Sequence, residues 1–157
     1  MTTVLVSSRD KMIVADTRVT ANSSAENAIK LFPFILPDLG PVIVGFAGSY
    51  FGILAVIHWI NTGRDVKEGK LLGKKAEVQA LLLTSRNLIA YLELTEGLFL
   101  PIPGDSSAIG TGGSAAYACH FCGIHSEQAV AAACQVDVNS ALPLTIGRFR
   151  GNKAVIR

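Results

Sequence analysis

Thr2-Thr3-Val4-Leu5-Val6-Ser7-Ser8-Arg9-Asp10-Lys11-Met12-Ile13-Val14-Ala15-Asp16-Thr17-Arg18-Val19-Thr20 is the stretch whose reading decides the fold. Two β-rich runs flank the polar turn Ser8-Arg9-Asp10-Lys11, which is the pattern of a β-hairpin. Removal of Met1 places a threonine at the head of that hairpin. An N-terminal threonine can be nucleophile and base at once: its hydroxyl attacks while its own α-amine, with an ordinary pKa of about 7.7 to 8.0, takes the proton.

Outward from the hairpin, residues 17–27 read as a polar loop, and 28–36 and 42–46 as a second hairpin turned by Pro37-Asp38-Leu39-Gly40. Ser49 stands at the N-cap position of an apolar helix that stops near Asn61-Thr62-Gly63. After a Lys-rich connection, three β-runs (76–84, 87–94, 98–101) read as a meander. Two Ala-rich helices follow, 114–121 and 126–136, and β-like runs at 141–149 and 153–156 close the chain. Strands, a helix, more strands, two helices and final strands suggest two sheets packed between helical layers, an α+β architecture.

At 157 residues, half of them hydrophobic and 17% charged, the sequence predicts one globular domain over 1–157. Its net charge of +2 is spread along the chain apart from the Lys-rich stretch 67–75, which reads as a solvated face, so nucleic acid is not implied. The three cysteines, Cys119, Cys122 and Cys134, are an odd number and no signal-type segment precedes the first strand, so the expected compartment is the cytoplasm. Cys119-His120-Phe121-Cys122 with His125 and Cys134 has the outline of a zinc cluster, but its Ala-rich helical context favours packed cysteines. The nearly uncharged stretch 42–60 approaches membrane-spanning length, yet Gly45, Gly48 and Gly52 interrupt it, and strand, turn and buried helix explain it better.

Two common chemistries fit poorly. Gly110-Thr111-Gly112-Gly113-Ser114-Ala115 satisfies the dinucleotide pattern G-x-G-x-x-A, but too little chain follows for the βαβ unit that pattern serves. His58, His120 and His125 all lie on or beside apolar helical stretches, which makes a serine or cysteine triad a weak reading. A hydroxyl residue at position 2 with no plausible histidine base points to an amine base.

Thr2-Thr3-Val4, Ala15-Asp16-Thr17-Arg18-Val19-Thr20, Ile29-Lys30-Leu31, Val44-Gly45-Phe46-Ala47-Gly48, Ala108-Ile109-Gly110-Thr111-Gly112-Gly113 and Asp137-x-x-Ser140 occur in the order found in proteasome β-subunits and bacterial HslV-type peptidases. The chain resembles that family from Thr2 to about Ile146. The resemblance implies the Ntn-hydrolase fold, a four-layer αββα sandwich, with a shortened first helical layer. The chain is shorter than the bacterial peptidase between Gly63 and Ala76, so the second helix of that layer is expected to be largely missing. The spacing from Thr2 to Asp16 is also slightly short, which leaves the placement of Asp16 for the structure to decide.

The same resemblance implies roles. Thr2 is similar to the nucleophile, Lys30 to the lysine beneath it and Asp16 to the carboxylate that pairs with that lysine. Gly48 resembles the residue whose backbone N–H stabilises the oxyanion; Thr111, where the family usually has serine, with Asp137 and Ser140 would orient the amine. Thr20, Phe46 and Ala47 resemble substrate-binding positions. Together these imply a threonine-type peptidase without metal or organic cofactor. Its expected partners are a peptide or unfolded-protein substrate, further copies of itself in a closed ring, and a separate AAA+ ATPase unfoldase, with no nucleic acid or membrane. The alternative is a non-catalytic structural subunit of the same fold.

Overall fold

The computed structural model describes residues 2–21, 24–94 and 96–157, with the backbone alone for Thr20, Ala21, Ser24 and Ala25. In chain order the elements are strands β1 (Thr3–Ser7), β2 (Met12–Asp16), β3 (Arg18–Ala21), β4 (Ser24–Asn27), β5 (Leu31–Leu36) and β6 (Gly40–Gly48); helices α1 (Tyr50–Asn61) and α2 (Val66–Lys75); strands β7 (Val78–Thr84), β8 (Ile89–Glu93), β9 (Leu98–Pro101) and β10 (Ser106–Gly110); helices α3 (Gly113–Phe121) and α4 (Ser126–Val136); and strands β11 (Leu144–Arg150) and β12 (Lys153–Ile156).

Two antiparallel sheets carry the molecule, ordered β10-β1-β2-β11-β12 and β5-β6-β7-β8-β9. Val4, Val6, Ile13 and Ala15 from the first sheet meet Leu31, Ile43, Leu81 and Leu83 from the second. On its other face the first sheet buries Leu5, Met12 and Val14 under Ala116 of α3 and Ala129, Val130 and Ala133 of α4. The second sheet turns Val42, Val44 and Phe46 to Ile53, Val56 and Trp59 of α1. The layers therefore run helix, sheet, sheet, helix, the expected αββα sandwich. Strands in the two middle layers are covered on both faces, which is why every residue of β1 and β2 is buried and why their apolar runs are nearly unbroken. Each large apolar side chain buried in these layers contributes about 1.5 to 3 kcal/mol relative to exposure.

Two expectations are corrected. The stretch 17–27 is not a loop: β3 and β4 form a two-stranded ribbon, with Arg18 opposite Asn27 and Ala21 opposite Ser24. The ribbon joins neither sheet, and its polar sequence shows no strong periodicity. The second helix of the first layer is also present, as α2. Asp65 caps it by accepting from Glu68 N at 3.0 Å, and Lys74 and Lys75 complement the carbonyl end of its dipole. Trp59 of α1 holds it in place, donating from Nε1 to Asp65 O at 2.8 Å while its ring lies over Gly69, where a Cβ would come within 3.0 Å. At ten residues the helix is short, and its Lys-rich exposed side hid it in the sequence.

The 42–60 stretch resolves into β6 and α1, with Ser49 as N-cap accepting from Gly52 N at 3.1 Å. Among the described residues no helix is long and apolar enough to cross a membrane.

Candidate active site

The β1–β2 hairpin brings the start of the chain beside Asp16. Val4 pairs with Ala15, so Thr2 and Thr3 reach the end of β2 where its carboxylate lies, buried completely. Oδ1 of Asp16 accepts from Thr2 Oγ1 at 2.8 Å, Thr3 N at 2.8 Å and Lys30 Nζ at 2.9 Å. Oδ2 accepts from Arg18 N at 3.0 Å and from Ala141 N at 3.3 Å. Lys30 arrives from the residue before β5, where Phe46 N donates to its carbonyl at 3.0 Å, and its ammonium also donates to Arg18 O. Only 4% of Lys30 is exposed. Burial pushes its ammonium below the ordinary 10.5, with Asp16 opposing that shift.

A second cluster lies on the side of β1 that faces the C-terminal helices. Asp137, just past α4, accepts on Oδ2 from Ser140 Oγ at 2.6 Å and from Thr111 Oγ1 at 2.7 Å, and on Oδ1 from Asn139 N at 3.1 Å. Burial alone would raise this carboxyl; the hydrogen bonds from Ser140, Thr111 and Asn139 outweigh it and hold the group below 3.8. Ser140 is linked in turn to Thr3, with Oγ to Oγ1 at 2.7 Å. The structure thus joins Thr111, Asp137 and Ser140 to the hydroxyl of Thr3, and joins Asp16 and Lys30 to that of Thr2. The resemblance assigns Thr3 no role of its own; its strand position beside Thr2, on the Leu5 face, is the signal that could have singled it out.

The glycines of 110–113 serve this site. Gly110 has φ +87°, and a Cβ there would fall 1.8 Å from Thr2 O and 3.4 Å from Ala47 Cβ. A Cβ on Gly112 would fall 2.0 Å from Thr3 Oγ1. The run joins β10 to α3, and β10 pairs antiparallel with β1, so the βαβ geometry of a dinucleotide site is absent there. Gly48 ends β6 at φ +132°, where a Cβ would strike Glu77 O at 1.9 Å, so the backbone at this turn carries no side chain.

Ala47 is buried next to Gly110 and hence close to the Thr2 carbonyl. Phe46 points the other way. It is fully enclosed beneath α1 and meets Phe32 edge-on at 5.9 Å, so it lines no substrate surface in this chain. Strand alternation separates these neighbours: odd positions of β6 face the first sheet and even positions face α1. The side chain of Thr20 lies outside the described residues.

Cys134 of α4 senses both carboxylates. Burial first, then the charges of Asp16 and Asp137, push its thiol up to about 11. His120, completely buried, is engaged by Ser7 Oγ at 3.1 Å and by Ile124 O at 2.9 Å, which leaves its ring nitrogens committed within the protein. Among the described residues no three His, Cys, Asp or Glu side chains gather as a metal site.

No protein-family model and no curated protein sequence matches the chain. Solved structures do. Eukaryotic HslV from Trypanosoma brucei aligns with a TM-score of 0.67 at 20% identity, over 92% of this chain and 97% of that one. The protein has the proteasome-like fold of HslV. A Gly-1 mutant of Anbu from Hyphomicrobium sp. strain MC1 shares this HslV-type fold with a TM-score of 0.75 at 12% identity, over 100% of this chain and 86% of that one. Thiobacillus denitrificans BPH shares it at 0.65 and 14% identity, over 99% and 97%. At such identities the likeness is one of fold, and residue roles have to be argued from the site itself.

Proposed function

We propose that this protein is a threonine-type peptidase subunit of a self-compartmentalising protease, with Thr2 as nucleophile once Met1 has been removed. The observation that carries this reading is the Thr2 hydroxyl resting on a buried Asp16–Lys30 ion pair. For attack, the Thr2 hydroxyl turns its proton from Asp16 Oδ1 to the Thr2 α-amine, which takes it as Oγ adds to a peptide carbonyl; Lys30 stabilises the developing charge on Oγ. The backbone N–H of Gly48 stabilises the oxyanion, and its bare Cα lets the substrate backbone approach. The protonated amine then protonates the leaving amine as the C–N bond breaks, leaving an acyl ester on Thr2. Water, deprotonated by the same amine, hydrolyses that ester. Thr111, Asp137 and Ser140 orient the amine, Ala47 and Thr20 flank the substrate strand, and neither metal nor organic cofactor takes part.

Exposed apolar side chains support assembly with further copies into a closed ring: Phe51 is 84% exposed, Ile35 83% and Val138 80%. The substrate would be peptide or unfolded protein, delivered to a closed chamber by a separate ATP-driven unfoldase, in the cytoplasm. Residues 1–157 would form one domain of each such subunit.

One observation favours the other reading, a structural subunit of the same fold: Thr2 is only 2% exposed. Intact-mass measurement separates the two. Loss of Met1, together with one adduct per chain from a threonine-directed epoxyketone that disappears in Thr2→Ala, supports the peptidase. Retained Met1 leaves the amine acylated and sinks the mechanism.

A further inference from the structure

Thr3 belongs to neither carboxylate alone. Its backbone N–H donates to Asp16 Oδ1 at 2.8 Å, and its side chain meets Ser140 Oγ at 2.7 Å. It is completely buried.

The direction of the Thr3–Ser140 bond follows from its neighbours. A hydroxyl has one proton, and an ionised carboxylate can only accept. Ser140 lies 2.6 Å from Asp137 Oδ2, so its proton is committed there, as is that of Thr111 at 2.7 Å from the same oxygen. Ser140 must therefore accept from Thr3. The protons run from Thr3 through Ser140 to Asp137, which fixes the rotation of Ser140 at both ends. Once the protons are aligned in this way, the three hydroxyls of Thr3, Ser140 and Thr111 retain lone pairs only, a cluster suited to receiving N–H donors. Gly112 closes the remaining side, because a Cβ there would fall 2.0 Å from Thr3 Oγ1.

We propose that Thr3 is a positioning residue for the reaction at Thr2: its hydroxyl locks Ser140 into the orientation that presents lone pairs to the Thr2 amine. This rests on the peptidase reading, and on the loss of Met1 that frees that amine. Thr3 touches neither substrate nor the attacking oxygen; it acts through Ser140.

The test compares Thr3→Val with Thr3→Ser. Valine keeps the β-branched shape that suits a buried strand and removes the hydroxyl, whereas serine keeps the hydroxyl and removes the methyl. Acylation by a peptide epoxyketone is followed by intact mass over a range of reagent concentrations, with Thr2→Ala as control and melting temperature recorded for each variant. Thr3→Val is expected to slow the saturated rate about tenfold, the order of one lost positioning hydrogen bond, with the half-saturating concentration unchanged. Thr3→Ser is expected to stay within about threefold of the parent protein. Were Thr3 a space-filling residue, the ranking would reverse, with valine equal to the parent and serine the weaker; that result overturns the inference and leaves the peptidase reading intact. A parent protein that forms no adduct at Thr2 removes both.

Discussion

Thr2 and Lys30 donate to the same oxygen. Thr2 Oγ1 lies 2.8 Å and Lys30 Nζ 2.9 Å from Oδ1 of Asp16, in a site where Asp16 is fully buried and Lys30 nearly so. The hydroxyl and the ammonium are thus held by one acceptor, and neither can move without changing the other's surroundings. A charge at this depth is tolerated because it is paired and hydrogen-bonded.

Breaking that pair has a calculable consequence. Lys30→Met leaves an uncompensated buried carboxylate and should cost about 3 to 5 kcal/mol of stability, measured by urea unfolding. Pairing it with Asp16→Asn should recover part of that loss, so that the double mutant loses clearly less than the sum of the two single losses. A Lys30→Met protein as stable as the parent would show that the pair is not buried as described.

The two networks predict opposite limbs of the pH–stability curve. Asp137 is held below its unfolded value of 3.8, so its contribution is complete above that pH and is lost as pH falls through the lower folded value. Asp137→Asn should therefore flatten the acid limb below about pH 3.8 in a comparison of unfolding free energies. Lys30 is also lowered, from 10.5, so the sign is the same but the window is alkaline. Between the folded and unfolded values the unfolded chain holds the extra proton, so stability attributable to this group rises with pH. The parent should gain on Lys30→Met as pH climbs toward 10.5; a parallel pair of curves would contradict the shift.

Close approach at the glycine run is testable by adding one carbon. Gly112→Ala puts a Cβ 2.0 Å from Thr3 Oγ1 and should cost about 1 to 3 kcal/mol while abolishing epoxyketone labelling. Gly123→Ala serves as the comparison. It meets nothing within 4 Å, and at φ +94° it should cost only the backbone strain of about 1 to 2 kcal/mol and leave labelling intact.

Cysteine reactivity should divide sharply. With its thiol at about 11, Cys134 holds only about 0.1% thiolate at pH 8, and it is partly buried, whereas Cys122 is exposed. Brief treatment with iodoacetamide at pH 8, read by peptide mass mapping, should alkylate Cys122 and spare Cys134. Equal labelling would place the Cys134 thiol away from Asp16 and Asp137.

Where signals are local, the sequence is legible. Ser49 marks the start of α1 because a hydroxyl beside an apolar run satisfies a free helix N–H, and β9, α4 and β12 have the limits that their turn residues and periodicity assign. The ribbon β3–β4 and the helix α2 escape the same reading because neither owes its place to a continuous apolar run. One is held by pairing along its own ladder, the other by Trp59 reaching Asp65 from the preceding helix.

The sequence by itself determined the hairpin that carries Thr2, the cap of α1, the pair of C-terminal helices and the set of residues from which a site could be built, because turns, caps and strand periodicity act within a few positions. Only the tertiary structure decided which oxygen receives which proton. Thr3 and Ser140 are 137 positions apart, and Thr111 and Asp137 are 26 apart. Hydrogen bonds act over about 3 Å, so such partners meet only after the sheet has aligned β10 with β1 and α4 has delivered Asp137 to its edge. The same packing turned Phe46 into the helical layer and Ala47 toward Thr2, a distinction set by strand alternation once β6 had its neighbours on both faces.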